Sequence, residues 1–120
     1  MLPLPLPASE LPEKLRRFGD PSAPEPARTM AARGLLPVKG EDLVTLLVQL
    51  CADPSETVRK TARETLHGIP EGVLSAACSA PLHESILDGL AEHVRERRDR
   101  LEELAANRAA SNATIARIAS

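Results

Sequence analysis

The segment from Leu43 to Cys51 constrains this chain more than any other. Leu43, Leu46, Leu47 and Leu50 recur at i, i+3, i+4, i+7, the spacing of one helical face. Val44, Val48 and Cys51 widen that stripe to well over half the helix circumference. A helix so apolar cannot lie on a surface with one side wet. It predicts a helix buried on two sides, and the rest of the chain must supply the cover.

The flanking residues read as short helices separated by strong punctuation. Ser9 offers a cap for a helix from Glu10 to Phe18, with Leu11, Leu15 and Phe18 on one face and Gly19-Asp20-Pro21 as its stop. Ser22 and Glu25 have capping-box spacing, which predicts a helix running to about Arg33 and stopping at Gly34, with Ala27, Met30 and Ala31 inward. Leu35 to Gly40 connects it to the central helix, which opens at Glu41 or Asp42. In Asp53-Pro54-Ser55-Glu56, Asp53 is expected to cap, Pro54 to take the first helical position and Glu56 to complete the box. Val58, Ala62 and Leu66 then point inward, Arg59, Lys60, Arg63 and Glu64 outward, and Gly68 ends the helix. Pro70 begins a helix with Val73, Leu74, Ala77 and Cys78 on its apolar side, and Pro81 interrupts. His83 or Glu84 begins one through about Arg95, burying Ile86, Leu87, Leu90 and Val94. Leu101, Leu104 and Ala105 mark another that ends at Asn107-Arg108. Ser111 caps a last one with Ile115 and Ile118 inward. No stretch alternates with period two for long enough to be a strand.

Composition agrees with this all-α reading. The 120 residues are 42% hydrophobic but only 1% aromatic, a single Phe18 without Trp or Tyr, so the core is built from Leu, Val, Ile and Ala. Such a chain is long enough for one domain, read here as residues 9–120. Residues 1–8, Met-Leu-Pro-Leu-Pro-Leu-Pro-Ala, read as an extended Pro-Leu arm, expected to be disordered. That start lacks the basic region and unbroken apolar core of a signal peptide. No apolar run approaches the ~20 residues of a membrane span. A reducing, cytoplasmic setting is the expectation. The 15 basic residues, mostly Arg, read as the codon bias of a GC-rich, bacterial genome.

Short helices in pairs prompt a search for repeats. The pattern Leu46-Leu47-x-x-Leu50, Asp53-Pro54, Val58-Arg59-x-x-Ala62-x-x-x-Leu66 resembles a HEAT-type repeat, whose second helix begins at Asp-Pro and carries Val-Arg at this offset. Leu101-x-x-Leu104-Ala105-x-Asn107 followed by Ser111, Thr114-Ile115 and Ile118-Ala119 is similar to a unit of the leucine-rich variant repeats, a bacterial relative in the α-solenoid class. The two segments cover about half the chain. The resemblance implies a short right-handed solenoid of about three stacked helical hairpins. It makes Asp53, Pro54, Val58 and Arg59 structural, with Asp53 capping and Arg59 reaching acidic groups or carbonyls of the neighbouring repeat. Some leucine-rich variant proteins hold an iron–sulfur cluster on four cysteines. Cys51 and Cys78 are too few for that, and no cofactor is expected.

The chemistry-bearing residues are sparse. His67, His83 and His93 do not fall at metal-ligand spacings with each other or with the cysteines, so no metal is expected. Cys78 and His83 are the one nucleophile–base pair worth naming, and Cys78 lies on an apolar stripe without an evident orienting carboxylate. No enzyme is expected. Arg95, Arg97, Arg98 and Arg100 could grip phosphates as in a nucleic-acid-binding helical repeat, the alternative reading. Glu96 and Asp99 interrupt that run and the net charge is −2, so a salt-bridged helix face is favoured. The last helix closes on Ile115 and Ile118 without a polar cap. Such an end is expected to meet another protein or a copy of itself, or to continue into a larger bacterial regulatory protein. The resulting expectation is a non-catalytic protein–protein interaction module, a scaffold or adaptor.

Overall fold

The structure is a computed structural model that describes residues 3–107, and among them it is all helical, with no strand. One 3-10 turn, Ala8–Glu10, precedes α1 (Glu13–Gly19), α2 (Glu25–Ala32), α3 (Gly40–Leu50), α4 (Glu56–His67), α5 (Glu71–Cys78) and α6 (Glu84–His93). Residues 98–107 are also helical. The last expected helix, with Ile115 and Ile118, lies outside the described residues. No helix of the described residues is long and apolar enough to cross a membrane.

The central helix is α3. Residues Val44 to Leu50 are all buried, and α3 packs against α1, α2, α4, α5 and α6. The wide apolar stripe predicts burial on two sides, and the five surrounding helices provide it. Val58, Ala62 and Leu66 of α4, Leu74, Ala77 and Cys78 of α5, and Ile86, Leu87 and Leu90 of α6 complete one contiguous apolar core. Leu104 joins it from the 98–107 helix.

Local chemistry sets the helix ends. Gly34 has φ +73°, the left-handed conformation that glycine adopts without a Cβ penalty. Its N–H reaches Ala31 O at 3.0 Å, and the Leu35 N–H reaches Met30 O at 3.2 Å, which is the Schellman arrangement. Met30 and Leu35, the two large hydrophobic residues that stay exposed among the described residues, occupy the positions that commonly touch in that cap. At the end of α5, Asn107 donates to Cys78 O (2.9 Å) and Ala80 O (2.7 Å), satisfying carbonyls the helix leaves open.

Several expectations change. Ser9 lies in the 3-10 turn and α1 starts at Glu13 after Pro12, while α2 starts at Glu25 after Pro24 with no side-chain cap, the Ser22 hydroxyl donating instead to Asp20. The inner face of α2 is Arg28, Ala31 and Ala32 rather than Ala27, Met30 and Ala31, because the Arg28 guanidinium is drawn inward to the Asp53 carboxylate. Asp53 does not occupy the cap position: α4 starts at Glu56, Ser55 is its cap, and Pro54 stands outside. The Asp53 carboxylate instead accepts the Ser55 N–H at 2.9 Å while it pairs with Arg28. Arg59 does find carbonyls, Asp53 O at 2.7 Å and Pro54 O at 3.1 Å, but they belong to its own turn. The N-terminal arm, read as a disordered tail, has Leu6 wholly buried and Leu4 packed against the core.

Candidate functional site

The arm lies against α3 with a bend at Leu4 and Pro5. Leu6 is 0% exposed, and Gln49, a wholly buried polar residue of α3, holds its backbone at both ends. The Leu6 N–H donates to Gln49 Oε1 at 2.7 Å, and Gln49 Nε2 donates to Leu6 O at 2.8 Å and to Gly19 O at 3.0 Å. One buried amide therefore satisfies three backbone groups that would otherwise be desolvated without partners. Leu4 is accommodated by Gly89 in the interior of α6. A Cβ there would stand 2.7 Å from Val48 Cγ1 and 2.9 Å from Leu4 Cδ1, so only glycine lets these groups approach.

Leu4 also lines a groove of about 820 Å³, within the size range of small-ligand sites. Val48, Cys51, Leu66 and Gly89 form its apolar floor. Arg63, His67, Glu92, His93, Arg95 and Arg97 supply its polar walls. Arg63 is exposed and has no ion pair among the described residues. Arg95 pairs with Glu92 at 3.0 Å. The His67 and His93 rings meet edge to face with centroids 6.4 Å apart. His93 Nε2 is buried without a hydrogen-bond partner among the described residues, and the imidazole pKa is held below its ordinary value, first by burial, then by Arg97 and His67. Burial and the neighbouring Arg97 charge thus both oppose the charged form of His93.

Cys51 on the groove floor is a poor nucleophile. Burial raises its thiol to about 11, with Arg63 only partly offsetting this. Among the described residues no group of three His, Cys, Asp or Glu side chains could hold a metal ion.

The other sequence-derived candidates sit elsewhere. Cys78 is 0% exposed, and burial, followed by the Glu103 charge, raises its thiol to about 11. His83 caps α6, its Nδ1 accepting the Ser85 N–H at 3.0 Å, with Nε2 3.4 Å from the Glu10 carboxylate. Both residues are thus engaged in packing and capping. Of the arginine run, Arg97 pairs with Glu71 at 2.7 Å, Arg98 with Glu102 at 3.8 Å, and Arg100 with Glu71 at 3.2 Å and Glu103 at 2.6 Å. With Arg95 on Glu92, each arginine of the run faces a carboxylate. The Glu71, Arg100 and Glu103 set, with Ser75 donating to Glu103 at 2.9 Å, joins α5 to the 98–107 helix.

Sequence reasoning missed Leu4, Leu6, Gln49 and Gly89. The signals were present: a glutamine inside a continuous apolar face, a glycine inside a helix, and leucines alternating with prolines. Comparison with family models, with characterised proteins and with solved structures gives no match to this chain.

Proposed function

We propose that this chain is a non-catalytic protein–protein interaction module, a helical scaffold or adaptor. The observation that carries the reading is the groove between the arm, α3, α4 and α6, about 820 Å³ with an apolar floor and, at its wall, an exposed Arg63 that has no ion pair among the described residues. Both thiols are held protonated by burial, and His83 serves as a helix cap, which leaves recognition as the chemistry the groove supports. Free thiols suit a reducing, cytoplasmic setting.

Support for a HEAT-like stack comes from the packing order. α1 and α2 pair, α3 and α4 pair, α1, α3 and α5 follow one another, and α2 lies against α4. These are the neighbours that stacked hairpins have. α6 departs from that order by packing on α3. Self-association through Ile115 and Ile118 is a second contact we propose, and Ile118→Arg is expected to abolish it while leaving helicity by circular dichroism unchanged.

Affinity capture from a native extract, with and without nuclease, tests the module reading. A stoichiometric protein that survives nuclease and is lost with Arg63→Glu is the expected result. Recovery of nucleic acid alone, released by salt, would sink it in favour of the arginine run.

A further inference from the structure

The groove bounded by α3, α4 and the end of α6 has an apolar floor, Val48, Cys51 and Leu66, and a charged wall. That wall is not balanced: Arg63, Arg95 and Arg97 line it against Glu92 and Glu96. Arg95 holds Glu92 at 3.0 Å, and Arg97 is drawn to Glu71, outside the groove, at 2.7 Å. Arg63 is the arginine of the wall that has no ion pair among the described residues. Two ionisable side chains show which sign prevails inside. The charge acting on Cys51, on α3, is that of Arg63, and those acting on His93, at the end of α6, belong to Arg97 and His67. Basic groups therefore set the field at both places, although the chain as a whole carries a net charge of −2. A groove of about 820 Å³ that joins an apolar surface to a few charged groups, with perturbed side chains on its border, has the make-up of a ligand site.

We infer that this groove is a binding site for a small amphipathic carboxylate, its apolar body on Val48, Cys51 and Leu66 and its charged head at Arg63. The inference goes beyond the module reading, and capture of a protein partner is a separate measurement that does not decide it. A guanidinium presents parallel N–H donors that match the two oxygens of one carboxylate, and Arg63 is not committed to a carboxylate of its own. A neutral ligand with the same body gains nothing from Arg63, and a cationic one meets the wrong field. His93 then reports on the ligand. The groups that line the groove with it are His67 and Arg63 from α4, Cys51 from α3, Glu92 on its own helix, and Arg95, Glu96 and Arg97 beyond its end. An added carboxylate stabilises the charged imidazole, so the ligand raises the His93 pKa, and by reciprocity binding tightens as pH falls toward the His93 titration.

The test titrates octanoate into the full chain at neutral pH and follows it by nuclear magnetic resonance. Saturable shifts at Val48, Cys51, Arg63 and Leu66 are expected, and their absence overturns the proposal. Octanol, the same body without the charge, is expected to bind about tenfold more weakly, and Arg63→Glu to weaken octanoate by about tenfold. Arg63 is exposed, so the variant is expected to keep its helicity by circular dichroism. Lys60→Glu makes the same charge change on α4 at an exposed position outside the groove and should leave binding unchanged. Octanol that binds as tightly as octanoate overturns the anion reading, and equal losses in the Arg63 and Lys60 variants reduce it to net charge and overturn the site. The His93 titration midpoint should rise in saturating octanoate. A midpoint that does not move places the carboxylate elsewhere and overturns the assignment. Binding that appears only when residues 1 and 2 are deleted assigns the groove to the chain's own start and likewise overturns it.

Discussion

Arg28 and Asp53, twenty-five residues apart, form an ion pair between α2 and the turn before α4, with the Asp53 side chain 1% exposed. Arg28 also donates from Nε to Ala23 O at 3.0 Å, and Asp53 accepts the Ser55 N–H. The two residues thus tie the start of α2 to the start of α4. Removing Arg28 alone leaves a buried carboxylate without its cation. Arg28→Ala is expected to cost about 3–5 kcal/mol, read as a lower midpoint in urea. Arg28→Met combined with Asp53→Leu should recover most of it, since an apolar pair carries no desolvation cost. Additive losses in the double variant would show that the pair is not coupled.

Gly89 controls how closely the arm approaches α3. Gly89→Ala places a methyl group 2.7 Å from Val48 Cγ1, so a neighbour has to move. Helix propensity favours alanine by about 1 kcal/mol, and overpacking costs about 1–3 kcal/mol. The net expectation is a small loss of global stability with a large local effect. Hydrogen exchange at the Leu6 amide should accelerate while that of α3 and α4 changes little.

The His93 imidazole has a folded-state pKa below its ordinary value of 6.5 because burial, Arg97 and His67 oppose its charge. The unfolded chain therefore takes up the proton at a higher pH than the folded one. Linkage then removes stability as pH falls below about 6.5, and the loss stops growing once the folded state is also protonated. Urea midpoints measured between pH 7.5 and 5 should fall, and His93→Gln should flatten that part of the curve.

Both thiols are held up to about 11. At pH 8 the thiolate fraction is then lower than that of an ordinary cysteine by a factor on the order of 10². Alkylation by iodoacetamide is expected to be slow at Cys51 and, because Cys78 is 0% exposed, to require unfolding there. Rapid labelling of Cys51 under native conditions would contradict the burial that raises its thiol.

The all-helical class, the need to bury α3 and the stops of α2 and α4 at Gly34 and Gly68 were legible in the sequence, because they follow from periodicity and punctuation, whereas the caps that open α1, α2 and α4 were misplaced. A face holding Leu43, Leu46, Leu47 and Leu50 must be covered, and Gly34 can take the left-handed backbone that closes α2. The rotation of α2 was not legible. Propensity and spacing treat Met30 as an inward residue and Arg28 as an outward one, and only the arrival of Asp53 from another part of the chain reverses them. The same holds at the site. Local rules see proline-rich residues 1–8 as extended but cannot say whether anything binds them. What decides it is that Gln49, Gly19 and Gly89, from three separate helices, come together to accept Leu4 and Leu6. Local order is fixed by interactions between neighbours in sequence, whereas a buried polar contact depends on which partner the fold brings within about 3 Å.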